Sequence, residues 1–181
     1  MRADDADEPD AGRPVQNPNE QTSSMPNASP PQADAGPVSE LDDSSSIWTV
    51  PSNWRERSDN PPMRHATLIV PDQDGEIEVA ISRFPGDVGG ELANINRWRG
   101  QMGLDALEED ELEEHVDRFE HPGFEGFVLR IEGEDEHMLT ASIYEENADR
   151  TWYVRASASP DAAERIEESV FAFARSFGQG R

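Results

Sequence analysis

All thirteen aromatic residues of this chain lie from Trp48 onward. That one asymmetry limits where a hydrophobic core can form. Residues 1–45 hold ten acids, two arginines and seven of the fourteen prolines, and their only large apolar residues are Met1, Val15, Met25, Val38 and Leu41. Such a segment cannot bury enough surface to offset the entropy of ordering it. It is predicted to be a disordered, acidic, proline-rich tail or tether, extended by charge repulsion and proline. Folding on a partner is the alternative. Residues 46–181 are predicted to form one domain of ordinary size.

Hydropathy periods predict the elements of that domain. Ile47–Val50 reads as a short strand closed by Pro51, and Arg64–Val70 as a strand ended by Pro71. Asp74-Gly75 is a hairpin signal leading into Glu76–Phe84, where Ile77, Val79 and Ile81 alternate with Glu76, Glu78 and Ala80. Residues 91–102 read as a helix with Leu92, Ile95, Trp98 and Met102 on one stripe, stopped by Gly103. An acidic run, Glu108–Glu114, is expected as one or two exposed helical turns, and His115–His121 as a weakly patterned strand. Three further strands follow: Phe124–Ile131, His137–Tyr144 and Thr151–Ala158. Their inward residues are read as Phe127, Leu129 and Ile131, then Leu139, Ala141 and Ile143, then Trp152, Val154 and Ala156. Ser159 and Pro160 open a last helix with Ile166, Val170, Phe173 and Phe177 on its stripe. The expected class is α+β: a mainly antiparallel sheet of about six strands packed with two amphipathic helices. One sheet face would lie under the helices. The other would be partly wet and show Thr67, Glu78, Thr140, Ser142, Tyr153 and Arg155.

Charge narrows the function. The chain carries 39 acidic and 15 basic residues, a net −24; every basic residue is arginine, and there is no cysteine. Disulfides and thiolate chemistry are excluded. The acidity argues against nucleic acid and anionic membrane surfaces as partners. No apolar run approaches the ~18 residues of a bilayer span, and the opening Met1-Arg2-Ala3-Asp4-Asp5 does not read as a signal peptide.

Two blocks of sequence resemble a known pattern. The first is Trp48-Thr49-Val50-Pro51 with Trp54, followed by Met63-Arg64 and Ala66. The second is Gly86-Asp87-Val88-Gly89-Gly90 leading to Asn94-Ile95-Asn96-Arg97-Trp98-Arg99-Gly100-Gln101. Together they resemble a W-x-x-P-x-x-W, M-R-x-A and G-x-x-G-G, N-x-N-R-W-R-x-Q signature of an uncharacterised bacterial family, often exported or lipid-anchored. The order of elements is similar to the Mog1/PsbP-type α/β/α sandwich. The resemblance covers residues 47–177 and implies an extracytoplasmic or envelope-associated location. It implies no catalytic residues, and the lipobox cysteine of such proteins is missing from this sequence.

The candidate site is on the signature helix. Asn94, Arg97 and Gln101 share a face at i, i+3 and i+7, with Arg99 on the opposite edge. Between Arg83 and Gly100 the chain holds three arginines and two acids, a basic island in an acidic protein. A guanidinium flanked by amides grips a carboxylate or phosphate well. The same polar groups would otherwise tie the helix to its loops. The glycine loop before the helix lacks the lysine and hydroxyl of a P-loop, and turn geometry explains it better. Glu111 with His115, His115 with His121, and Asp72-Gln73-Asp74-Gly75 do not match metal spacings, so no metal or cofactor is expected. No nucleophile elbow or fixed histidine–carboxylate pair is legible, so no catalytic residue is named.

These observations point first to a non-enzymatic binding module for a partner protein or small anionic ligand. A structural or accessory domain comes second and an enzyme third. A monomer or weak oligomer is expected. A carboxylate-rich surface repels itself, so screening favours the compact state. Thermal unfolding should therefore move to higher temperature as sodium chloride is raised toward molar concentration. A melting temperature that is flat or falls with salt would contradict this.

Overall fold

The order of the strands in space differs from their order in sequence, and that difference positions everything else. The computed structural model describes residues 47–179, which belong to one compact unit. The expected tail, residues 1–45, lies outside the described residues. Seven strands are present: β1 (Arg55–Glu56), β2 (Ala66–Asp72), β3 (Gly75–Pro85), β4 (Asp117–His121), β5 (Phe124–Glu132), β6 (His137–Glu145) and β7 (Arg150–Ala158). They form one sheet in the order β1-β2-β3-β7-β6-β5-β4, and every neighbouring pair is antiparallel. The last strand thus occupies the centre. Three helices complete the fold: α1 (Glu91–Gln101), the short α2 (Leu112–His115) and α3 (Pro160–Arg175). The α+β class holds, with one more strand than expected. No helix among the described residues is long and apolar enough to cross a membrane.

One face of the sheet is covered by α3. Leu68, Val79, Ile81, Val154, Ala141 and Ile143 rise from it against Ile166, Val170, Phe173 and Phe177, the stripe legible in the sequence. Pro160 occupies the first turn of α3, but the Ser159 side chain makes no cap; its carbonyl accepts the Ala163 N–H at 2.8 Å. Ile47–Val50 is not a strand. Trp48 instead packs edge-on to Trp152 with centroids 5.4 Å apart and lies 5.0 Å from Phe177, while Trp54 lies 5.3 Å from Phe173. The two tryptophans fasten the start of the domain to α3 rather than extending the sheet.

The opposite face carries a second core. Ile95 and Trp98 of α1 pack with Phe127, Leu129, Ile131, Met138 and Tyr153, joined by Leu107 and Leu112 from the segment after the helix. The expectation of one helix-covered face is corrected here. The apolar residues read as inward on the fifth and sixth strands point to opposite faces, because Leu129 pairs with Thr140 and Val128 with Ala141. Successive residues of a strand alternate faces, so two apolar triads in this register need a cover on each side. Thr67, Thr140 and Tyr153 of the expected wet face are buried. The half over β2, β3 and β7 is left as an open cleft.

A clasp ties α3 to the β2–β3 hairpin. Arg165 donates to Asp72 at 2.9 and 2.6 Å and to Asp74 at 2.6 Å. The Arg165 hydrogen bonds hold the Asp72 carboxyl well below the usual range, at about 2. A carboxylate with a depressed folded pKa stabilises above its unfolded value of about 4 and loses that contribution as pH falls toward the folded value. The melting temperature of the wild type should exceed that of Asp72→Asn at neutral pH, with the gap closing between about pH 4 and pH 2. A constant gap across that window would show that Asp72 acts through packing rather than charge.

Candidate functional site

The signature helix is entered through two glycines whose backbones favour them, Gly89 at φ 84° and Gly90 at φ 70°. Asn94 follows one turn later and is 5% exposed. Its Nδ2 donates to the Val88 carbonyl at 2.6 Å, the Gly90 carbonyl at 2.9 Å and the Tyr153 hydroxyl at 3.0 Å. The Tyr153 hydroxyl, pushed above its ordinary value chiefly by burial, donates to the same Val88 carbonyl at 3.2 Å. Asn94 is therefore the pin that holds the glycine loop, the helix and the central strand together. The sequence places it on the candidate face; in the structure its side-chain amide is engaged inside the fold.

Other signature residues are spent in the same way. Asn96 donates to the Leu107 carbonyl at 2.9 Å and accepts the Leu107 N–H at 2.7 Å. Trp98 is 1% exposed and meets Tyr153 edge-on at 5.4 Å. Arg99, also a candidate, donates to the Asp105 carbonyl at 2.8 Å, bracing the loop after the helix, and lines a separate cleft with His115, Arg130 and Glu167. Arg97 and Gln101 remain. Arg97 is exposed, and among the described residues it makes no hydrogen bond or ion pair. Gln101, one turn further on, accepts a hydrogen bond from Arg155 Nη2 at 3.1 Å.

Arg155 is the residue that sequence reasoning placed on the wet face without assigning it to the site. It stands on the central strand β7, directly across from Ala80 on one side and Thr140 on the other. Burial lowers its guanidinium below the ordinary arginine value, and the positive charges of Arg97 and Arg64 lower it further. Arg97 and Arg64 thus each lie close enough to Arg155 for their charges to act on it. Arg155 and Arg64 line a cleft of about 620 Å³, with Ala80, Ser82 and Ser157 among its small residues. Of the twelve described arginines, eight have carboxylate partners. The other four are Arg83, which stacks over Trp152, Arg99 on its carbonyl, and the pair Arg97 and Arg155.

A second cleft, of about 720 Å³, opens at the start of α1. Gly90 offers no side-chain cap there, but Glu91 occupies the first turn and is held by Arg118 at 2.8 and 3.0 Å. Asp87 and Glu125 also line it, so the glycine loop faces carboxylates. No group of metal-ligating side chains is present among the described residues.

No family model and no curated protein matches the chain. Solved structures similar to it include LpqN, involved in cell envelope biogenesis of Mycobacterium tuberculosis. That likeness has a TM-score of 0.44 and 13% identity, covering 71% of this chain and 78% of that one. Cyanobacterial PsbP (CyanoP) from Synechocystis sp. PCC 6803 has a TM-score of 0.45 and 10% identity, covering 71% of this chain and 83% of that one.

Replacing Asn94 with alanine leaves the Val88 carbonyl and Tyr153 hydroxyl short of a partner in a buried place. The expected cost is about 1–3 kcal/mol of stability, read by urea unfolding. A cost near zero would return Asn94 to the list of surface contacts.

Proposed function

We propose that the protein is a non-enzymatic binding module whose contact surface is the face formed by Arg97, Gln101 and Arg155. The observation that carries this reading is that, among the described residues, Arg97 and Arg155 have no carboxylate partner while eight of the twelve arginines do. In such a protein an arginine meets acids by default, and the acids that share the cleft with Arg155 are held by other arginines. Guanidinium groups left open in this way suit an acidic partner. These side chains supply donors and positive charge but no group that exchanges a proton near neutrality, which supports binding over catalysis. The extracytoplasmic or envelope-associated setting implied by the sequence resemblance belongs to the same reading.

The structural alternative has its own support. Asn94, Asn96, Trp98 and Arg99 show that much of the signature serves the fold. One comparison separates the two. The full chain, its Arg97→Ala variant and its Arg99→Ala variant are each purified from the source cell after cross-linking, and co-eluting proteins and small molecules are identified by mass spectrometry. The binding reading predicts a species kept by wild type and Arg99→Ala and lost from Arg97→Ala. Identical sets from all three would leave the signature as a folding device alone.

A further inference from the structure

Three separate elements supply the arginines of this face: Arg64 from the segment before β2, Arg97 from α1 and Arg155 from β7. The acids that share the cleft are already engaged. Glu78 is held by Arg57 and Arg64, Glu76 by Arg55, and Asp72 and Asp74 by Arg165. Beneath the arginines a row of residues crosses four strands in register: Thr67, Ala80, Arg155 and Thr140. Thr140 is the direct neighbour of Arg155, and Thr67 lies beyond Ala80. Both threonines are 0% exposed, and among the described residues neither Oγ1 has a hydrogen-bond partner. An unpaired buried hydroxyl is uncommon, and Thr140 places one directly across from a guanidinium that has no carboxylate partner among the described residues.

We propose that this face holds a tetrahedral oxyanion of the phosphate type, seated over Ala80 and gripped by Arg97 and Arg155 with Arg64 at its edge. This rests on the binding reading above and names the ligand chemistry. One arginine fork suffices for a planar carboxylate, whose two oxygens lie in one plane. Cations arriving from a strand, a helix and a loop approach from different directions, and they match an anion with oxygens in several directions. Such an ion also carries enough charge to face Arg97 and Arg155 together, Arg64 being already paired with Glu78. The ion is either free phosphate or the phosphoryl group of a small molecule, for which the cleft of about 620 Å³ has room.

The test is calorimetric titration of the full chain with sodium phosphate, with glycerol phosphate and with sodium acetate. Sodium chloride holds ionic strength constant, so general screening of the acidic surface cancels. Wild type should bind phosphate or glycerol phosphate saturably and acetate not at all in the same range. Tighter binding of glycerol phosphate would identify the phosphoryl group of a larger molecule as the source, and equal binding the free ion. Arg155→Gln and Arg97→Gln should each weaken binding about tenfold or more, and Arg99→Gln should leave it unchanged. Arg97 is exposed, so its variant keeps the test valid if Arg155→Gln proves unstable. No saturable binding of either phosphate, equal binding of acetate, or full affinity in Arg97→Gln would overturn the proposal. A partner lost from Arg97→Ala in the cross-linking comparison would still leave the binding surface standing, so the two readings fail separately.

Discussion

The structure depends on how an acid-rich chain distributes a small number of arginines. With 39 acids and no lysine, each guanidinium is a scarce resource for holding elements together. Arg165 clasps α3 to the β2–β3 hairpin, and Arg118 joins β4 to Glu91 of α1 and to Glu113 of α2. Arg130 reaches across from β5 to Glu167 of α3, and Arg175 pairs with Asp117 at the sheet edge. Exposed pairs of this kind contribute little one at a time. Their placement still matters, because each neutralises acids where two elements meet and repulsion would otherwise push them apart.

That economy makes the second face of the sheet informative. Its half over β5 and β6 is closed by α1 through Ile95 and Trp98. The half over β2 and β3 is left as a cleft; its small residues, Ala80, Ser82 and Ser157, bring no negative charge to Arg155, and the acids that line it are paired with other arginines. Gln101 meets Arg155 with an amide oxygen, which orients the guanidinium without neutralising it. A glutamate at the same place would have closed the site with an internal ion pair.

Much of the fold was legible because it follows from local periods and turn chemistry. Asp74-Gly75 marks a real hairpin, and the stripes of Ile95 and Trp98 and of Ile166, Val170, Phe173 and Phe177 are the buried faces of their helices. The reading went wrong where the answer lies in pairing between distant strands. Alternation shows that Leu129 and Ala141 each face a core, but only the register of β5 against β6 shows that these are different cores. The site was half legible for the same reason. Arg97 and Gln101 share a helix face by spacing alone. The meeting of Gln101 with Arg155, 54 residues on, is created by the central position of β7. Conversely, Asn94 looked like a contact residue because helix spacing shows a shared face and does not show burial.

The central claim is that, among the described residues, Arg97 and Arg155 have no acid partner in a protein crowded with acids. It is tested most directly by following the arginine Nε–H signals of the nitrogen-labelled protein by NMR while the carboxylates are titrated with acid. The Nε–H groups of Arg165 and Arg118, bonded to Asp72 and Glu113, should move as their partners protonate. Those of Arg97 and Arg155 should stay in place until the protein unfolds. Movement of either signal in step with a carboxylate would show that an acid already holds it, and the open cationic face would be lost.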